Sequence, residues 1–277
     1  MVGSGIRVAS VGNLPPSTNS IAGMKLSETS RRGIPTAWIF VGALLVAVGL
    51  LAGWLLGRAQ TPAQAALPIL GVAPAFHNFR NQLGQKVDSS QFHGKVQVVT
   101  FLFPYCTSYC PLIADHLLGL ETLLREAGWQ DQVQIVAFDV DPWHTGPTQM
   151  RAFLQEYGWD PHDLHWQFLS AKPAQVLRVV RDGYHVSFQQ VSLASERLNI
   201  AAEKASGTYI PQPEVANPLA ARVHPDYDIA HNDVLVLIGP KGRIRWLSTE
   251  ADRVSNRSLL PLVQALLPTQ QGSPPAG

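Results

Sequence analysis

Strands and helices alternate along most of this 277-residue sequence, which predicts an α/β fold: a thioredoxin-like sandwich with an N-terminal transmembrane helix. Three observations support this prediction. Apolar, β-branched runs are followed by segments with helical spacing, a hairpin pattern and a closing helix end the series, and a long uncharged stretch precedes it. Because helices join the first strands, we expect parallel central strands with the hairpin as an antiparallel edge.

The overall composition limits the class of function. Hydrophobic residues make up 46% of the chain, enough for a substantial core, and the formal net charge is +1. A charge this balanced gives no electrostatic reason to expect nucleic acid as a partner. We therefore predict a protein that does not bind nucleic acid.

The uncharged stretch at 36–56 predicts a membrane anchor. At about 1.5 Å per residue it spans a hydrocarbon core of about 30 Å. Trp38 and Trp54 lie near its ends, where interfacial tryptophans are favoured. Basic residues are more frequent before this stretch than after it: Arg7, Lys25, Arg31 and Arg32 precede it, and Arg58 follows it. The positive-inside rule then predicts a single-pass cell-membrane protein with a cytoplasmic N-terminus and its main domain outside the cytoplasm, on the periplasmic side.

A cleaved signal peptide is the alternative, because the segment 63–65 resembles a small-residue cleavage site. The apolar run is longer than a usual signal core, which favours a retained anchor. The predicted organisation is a cytoplasmic flexible tail at 1–33, the anchor at 34–57, a linker at 58–67, a domain at 68–267 with an insertion at about 190–222, and a flexible tail at 268–277.

The first half of the domain predicts two strand–helix units. The apolar runs have the continuous pattern of strands that are buried on both faces, and each helix has a proline in its first turn. The predicted elements are a strand at 96–103, a helix from Pro111 to Gly128, a strand at 133–140 and a helix from Pro147 to about Tyr157.

The second half of the domain is less regular. Its long segment at 190–222 is only weakly patterned. The other predicted elements are a short strand at 165–170, a helix at 173–182, a hairpin of strands 234–238 and 243–248 joined by Gly-Pro-Lys-Gly, and a closing helix that contains Leu259, Leu260, Val263 and Leu266.

The chain contains two cysteines, Cys106 and Cys110, and both lie between the first strand and its helix. A disulfide that closes so short a loop would stabilise the fold little, so the spacing indicates chemistry. We expect Pro111 to keep Cys110 out of the helix, with both thiols over its N-terminus. The free N–H groups and the dipole there lower thiol pKa values. Two buried, inert cysteines or a static disulfide are the structural alternative.

Two thiolates leave a metal ion under-coordinated, so we sought a third ligand among the nine histidines. His231 is the best candidate, because it stands just before strand 234–238, and in such a sheet the loop entering that strand lies beside the cysteine loop. His144, after the second strand, is expected near the same sheet edge. Two thiolates and an imidazole suit Cu(I), a soft ion that accepts three ligands.

Two further functions use the same residues. In a thiol–disulfide oxidoreductase, Cys106 would be the attacking thiolate and Cys110 the resolving thiol. A zinc site with an open position would also use two cysteines and a histidine. We rank zinc lowest, because no obvious general base for hydrolysis lies nearby.

Three segments resemble the Sco/SenC family of copper-binding proteins that assist cytochrome c oxidase assembly. They are FLFPYCTSYCP around the cysteines, FDVDP at 138–142, and DYDIAHND at 226–233 before the terminal hairpin. The resemblance covers roughly residues 68–267. It implies a thioredoxin-like fold with Cys106, Cys110 and His231 as copper ligands, and it leaves Cu(II) open beside Cu(I). The implied role is a metallochaperone rather than an enzyme, which delivers copper to an oxidase subunit or another copper acceptor protein.

The sequence departs from the family pattern at three places. Thr107 follows the first cysteine where the family usually has proline. The segment 143–146 is Trp-His-Thr-Gly where the family usually has an arginine and then an aspartate. The insertion at about 190–222 is the third difference. These departures predict a divergent member and leave its acceptor open.

Overall fold

The computed structural model describes residues 40, 42, 44–51 and 67–268. The chain divides into two compact units, Met1–Thr61 and Pro62–Gly277. The described residues of the first unit are helical, and apolar side chains among them, such as Phe40 and Leu44, are exposed. Among all described residues, no helix is both long and apolar enough to cross a membrane. The remainder of the predicted anchor, the tail at 1–33, most of the linker and the last residues of the C-terminal tail lie outside the described residues.

The second unit is organised around a six-stranded sheet with the order β1-β10-β9-β4-β5-β6. Two short ribbons, β2-β3 and β7-β8, accompany it. The strands are β1 (Gly71–Val72), β2 (Phe79–Arg80), β3 (Lys86–Val87), β4 (Val96–Leu102), β5 (Val133–Asp139), β6 (Trp166–Leu169), β7 (Phe188–Ser192), β8 (Tyr227–His231), β9 (Leu235–Ile238) and β10 (Arg243–Ser248).

Helices connect these strands. They are α1 (Tyr109–Glu126), α2 (Pro147–Glu156), α3 (Pro173–Val176) with a π-helical continuation at Leu177–Gly183, α4 (Leu193–Ser206), α5 (Pro218–Val223) and α6 (Asn256–Gln264). Short 3-10 turns occupy Ser89–Phe92, Gln130–Gln132 and Ala251–Arg253. The element order and sheet agree with the predicted thioredoxin-like α/β sandwich.

The central strands confirm the predicted topology. β4 pairs with β5 in parallel register from Val96↔Val133 to Leu102↔Asp139, and β6 extends the parallel part. Every residue of β4 and β5 is buried, which explains why both read as uninterrupted apolar runs. β9 and β10 form the predicted hairpin, with β9 antiparallel to β4.

The prediction that Pro111 excludes Cys110 from the helix was wrong. The helix α1 begins at Tyr109, so Cys110 and Pro111 both lie in its first turn. The first N–H groups of a helix have no intrahelical acceptor, so the missing proline N–H costs nothing at this position. That tolerance outweighs the usual preference of the residue before proline for extended backbone.

The predicted insertion at about 190–222 has secondary structure of its own. It contains the helices α4 and α5, and the flanking strands β7 and β8 pair antiparallel. His231 is consequently the last residue of β8, opposite Phe188, rather than a loop residue as predicted. The ribbon therefore fixes the histidine through backbone pairing before the chain enters β9.

Candidate functional site

The cysteine loop follows β4 directly. It turns back at once, because the Cys106 N–H donates to the Phe103 carbonyl at 3.1 Å. The Cys106 and Cys110 side chains are buried, and no disulfide joins them. The Phe103 N–H points at the Cys110 Sγ at 3.5 Å, and Ser108 places its Oγ 3.3 Å from the Cys106 Sγ. Both sulfur atoms are thus held at one end of the central strand.

His231 meets this loop across the fold. Its Nε2 lies 3.6 Å from the Cys110 Sγ, although 121 positions separate the two residues in sequence. The structure therefore brings all three predicted site residues to one place: Cys106 and Cys110 through their spacing, and His231 through the end of β8.

A backbone carbonyl orients the His231 ring. Its Nδ1 lies 3.0 Å from the Asn232 carbonyl, which only accepts hydrogen bonds, so Nδ1 carries a proton. The other ring nitrogen, Nε2, faces the Cys110 sulfur. Asn232 is itself fixed by Ser187, whose carbonyl accepts from the Asn232 N–H at 3.1 Å and whose N–H donates to the Asn232 side chain at 2.9 Å. A backbone partner that orients a histidine in this way is typical of metal ligands.

The two thiols differ in acidity. A hydrogen bond from the Cys110 thiol lowers the pKa of Cys106 to about 6, with smaller contributions from the charge of His231 and from Ser108. Burial raises the pKa of Cys110 well above its ordinary value, and the neighbouring Cys106 thiolate adds to this rise. Cys106 is the thiolate of the pair and Cys110 is the thiol.

This difference corrects the expectation that the helix N-terminus acidifies both cysteines. Cys110 lies inside the first turn and is fully buried, so the loss of hydration disfavours its charged form more than the helix dipole favours it. Cys106 is also buried, but it receives hydrogen bonds that stabilise its thiolate. Hydrogen bonding to Cys106 therefore explains why the pKa values of two buried cysteines at the same helix end shift in opposite directions.

A buried acid pair lies behind the site, at the end of β5. The Asp139 carboxylate accepts from the Thr145 hydroxyl at 2.7 Å and from the Asp141 N–H at 3.0 Å. Asp141 accepts from the Tyr227 hydroxyl at 2.6 Å and from His144 Nδ1 at 2.9 Å. These bonds join the segment after β5 to β8, the strand that ends at His231.

Sequence reasoning identified parts of this network without its connections. His144 lies at the expected sheet edge, and its described partner is Asp141 rather than a cysteine. Thr145 and Tyr227 were not predicted, because a threonine and a tyrosine in loops have many structural uses. The segment 143–146 supplies two of the hydrogen-bond donors to the acid pair, His144 and Thr145.

The two cysteine sulfur atoms and the His231 Nε2 lie near one another, but they do not form a coordination site. In the part of the chain that the structure describes, no three histidine, cysteine or acidic side chains are already arranged to hold a metal ion. The donor types nevertheless form a soft set of two sulfur atoms and one imidazole nitrogen. A bound ion would draw His231 and the two sulfur atoms together.

Comparison with known proteins gives the family. The SCO1/SenC family model matches residues 72–216, more than half of the chain. This region contains both cysteines and ends before His231. The SCO1 protein homolog of Bacillus subtilis (strain 168) is 31% identical over 94 residues, which cover 33% of this chain and 46% of the relative. The matched region thus spans less than half the length of that curated relative.

Solved structures agree with the fold. A SCO1/SenC family lipoprotein from Bacillus anthracis has a TM-score of 0.51 at 19% identity, with 71% of this chain and 95% of that chain covered. Arabidopsis thaliana ScoI with copper bound has a TM-score of 0.50 at 17% identity, with 70% and 97% covered. BsSco, described as a member of the Sco family of cytochrome c oxidase assembly proteins with a disulfide switch, has a TM-score of 0.50 at 19% identity, with 72% and 96% covered.

The solved structures share the fold of this chain, and the residues that the family model matches include Cys106 and Cys110. The family model covers the strands β2 to β7, the cysteine loop and most of the segment 190–222. This chain belongs to the SCO1/SenC family.

Proposed function

We propose that this protein binds copper through Cys106, Cys110 and His231 and delivers it to a cytochrome c oxidase subunit or to another copper acceptor protein. One observation carries the proposal: the His231 Nε2 faces the Cys110 sulfur at 3.6 Å, across 121 residues of sequence. A backbone carbonyl accepts from Nδ1, so Nε2 is the nitrogen that is left to ligate a metal when the ring is neutral.

The chemistry of the donors favours Cu(I). Thiolates and imidazole are ligands that select soft ions, and Cu(I) accepts three of them. One thiolate is available near neutral pH because the pKa of Cys106 is about 6. The second must lose its proton as the ion binds, so copper uptake releases a proton from Cys110. A three-ligand site leaves room for an incoming ligand from the acceptor.

The test is a Cu(I) titration of the full-length, detergent-solubilised chain, reduced and kept under anaerobic conditions, in competition with a chelator. We expect one Cu(I) per chain and an affinity that His231→Ala lowers at least about a hundredfold, because even outer-shell substitutions cost 10–100-fold. The matched control is His162→Ala, which removes an exposed histidine from another loop. Unchanged Cu(I) binding in His231→Ala would remove the ligand assignment.

A thiol–disulfide oxidoreductase is the second candidate, and the split acidity of the two cysteines favours it. The Cys106 thiolate would attack a disulfide of the partner, form a mixed disulfide and release one partner thiolate. Cys110, after losing its proton, would then attack the Cys106 sulfur. The products are a Cys106–Cys110 disulfide and a partner reduced by two electrons.

The same histidine variant separates the two functions. An oxidoreductase predicts that His231→Ala retains most of its thiol exchange, since the histidine adds only part of the stabilisation of the Cys106 thiolate. Exchange is measured with a model disulfide substrate, and Cys106→Ser is the inactive control. A variant that loses copper binding and keeps exchange would assign both activities to one cysteine pair.

We also propose that residues 36–56 anchor the protein in the cell membrane, with the copper site outside the cytoplasm. The supporting observations are the uncharged sequence of this stretch, the excess of basic residues before it and the exposed apolar side chains of its described helical residues. An alkaline phosphatase fused after Gly277 tests the orientation, because this reporter is active only after export. An inactive fusion would contradict it.

A further inference from the structure

The insertion holds the cysteine loop through three backbone carbonyl groups. The Val215 N–H donates to the Thr107 carbonyl at 2.8 Å. The Asn217 Nδ2 donates to the Pro104 carbonyl at 2.9 Å and to the Cys106 carbonyl at 2.8 Å. The stretch 215–217 therefore binds the loop on both sides of Cys106 and at Cys106 itself.

Asn217 is bonded at both ends of its side-chain amide. Its Oδ1 accepts from the Leu219 N–H at 3.0 Å and from the Ala220 N–H at 3.2 Å, which caps the helix α5. The side chain is buried, with 4% of its surface exposed. Because the oxygen faces N–H groups and the nitrogen faces carbonyls, the amide has one consistent orientation. The start of α5 thus determines where Nδ2 points.

We propose that Asn217 is a positioning residue for Cys106. This inference rests on the proposed function and deepens it, since it assigns a task to the insertion. A buried carbonyl that loses its donor is left unsatisfied, which destabilises the conformation that buries it. Asn217 therefore holds the backbone of the cysteine loop in its described conformation, with the Cys106 sulfur beside Ser108 and Cys110, before copper binds. Ligands held in place in advance bind more tightly, because less ordering accompanies binding.

The Asn217→Asp variant isolates the donor. Aspartate caps helices as well as asparagine does, so α5 keeps its N-terminus. The nitrogen that donates to two carbonyls becomes an oxygen, and the loop faces a carboxylate instead of a donor. Asn217→Ser is a second variant, because serine also caps helices and its shorter side chain lacks the amide donor without adding charge.

Two measurements on the full-length chain in detergent test the inference. The first is Cu(I) affinity by chelator competition, which we expect to fall about tenfold in Asn217→Asp. The second is the equilibrium of the cysteine pair with glutathione, in which two thiols and one glutathione disulfide give the Cys106–Cys110 disulfide and two glutathione thiols. The lost bonds belong to the dithiol form, so we expect a tenfold shift toward the disulfide, equal to about 30 mV.

Ser192→Ala is the matched control. Ser192 caps α4 in the same insertion by accepting from the Ser195 N–H, and it is exposed. Its loss should lower stability slightly and leave both measurements unchanged. Near-ultraviolet circular dichroism verifies that each variant is folded, and Asn217→Ser replaces Asn217→Asp if the latter is not.

The outcomes distinguish this inference from the proposed function. Wild-type values in the folded Asn217 variants, for both affinity and redox equilibrium, would overturn the positioning role. Equal changes in Ser192→Ala would also overturn it, because they would indicate a general effect of the insertion. If the wild-type chain binds no Cu(I), the proposed function fails, and the redox equilibrium alone decides the role of Asn217.

Discussion

The two ends of the strand β5 bury polar side chains in different ways. Near its beginning, Gln134 belongs to a group of amides that also includes Asn81, Gln82 and Gln167, and all of them are buried. At its end, Asp139 lies with Asp141 behind the cysteine loop. The first group cannot ionise at any ordinary pH, whereas the second group and the nearby thiols can. The sheet thus buries neutral side chains at the margin where β5 begins, which we call the amide edge. It buries titratable side chains at the margin where β5 ends, which we call the cysteine edge.

Within this group, both amide atoms of Gln82 are engaged in backbone hydrogen bonds. The Gln82 Nε2 donates to the Pro161 and Trp166 carbonyls at 3.0 and 3.1 Å, and its Oε1 accepts from the Phe168 N–H at 3.0 Å. Neutral groups with all partners in place can be buried at modest cost. Their number of bound protons is the same in the folded and unfolded chain, so they add no pH dependence.

The largest effect on stability is expected from Gln82→Ala. The substitution leaves three buried backbone groups without partners, and each costs about 1–3 kcal/mol. We expect the free energy of unfolding to fall by about 4 kcal/mol in urea denaturation of the full-length chain. The Cu(I) affinity of the folded variant should not change, because Gln82 has no role at the cysteine edge.

The control for this substitution is Gln85→Ala. Gln85 is exposed, and its side chain accepts one hydrogen bond from Asn81 at 3.0 Å. Its loss should cost less than about 1 kcal/mol. Similar losses of stability in both variants would show that burial of the amide group does not matter, and the comparison between the two edges would fail.

The next effect is the pH dependence contributed by Asp139. Burial raises the pKa of this carboxyl from 3.8 to about 6. In this pH range the folded chain holds a proton that the unfolded chain has released, so stability falls as the pH rises from about 4 to about 6. An asparagine at this position would resemble the protonated acid. Asp139→Asn should therefore remove this slope and make the protein more stable at pH 7 by about 3 kcal/mol, at about 1.4 kcal/mol per pKa unit.

Urea denaturation at a series of pH values measures this slope. The control is Asp160→Asn, which changes an exposed aspartate and should leave the slope of the wild-type chain in place. If the stability of the wild-type chain and that of Asp139→Asn change in the same way between pH 4 and 6, the prediction fails. Asp139 would then be ionised in the folded chain over this range.

The central elements could be predicted because they depend on local patterns. β4 and β5 are buried on both faces, so their apolar runs identify them without knowledge of the neighbours. Cys106 and Cys110 are close because few residues separate them. His231 was assigned from its place before β9 and from the resemblance to the Sco/SenC family, since a distance across 121 residues leaves no local pattern.

The polar contacts could not be predicted for the same reason. The bonds of Asn217 to the cysteine loop span 111 and 113 positions, and the bond from Tyr227 to Asp141 spans 86. One local signal was available: Asn217 followed by Pro218 is a typical helix start, although it says nothing about what the nitrogen of the amide contacts. The acidity of Cys110 was mispredicted because burial, which decides it, is a property of the whole fold.

The smallest effect is expected from Ser108→Ala, which tests how hydrogen bonds set the acidity of Cys106. In the metal-free, reduced chain, the ultraviolet absorbance of the thiolate should appear with a midpoint near pH 6. Cys110→Ala removes the largest cause of the lowered pKa and should raise this midpoint. Ser108→Ala removes a lesser cause and should raise it less, because the Cys110 thiol still donates. If Ser108→Ala raised the midpoint more than Cys110→Ala does, the serine rather than the paired thiol would be the main stabiliser of the Cys106 thiolate. The cysteine edge would then depend on a neutral side chain, as the amide edge does.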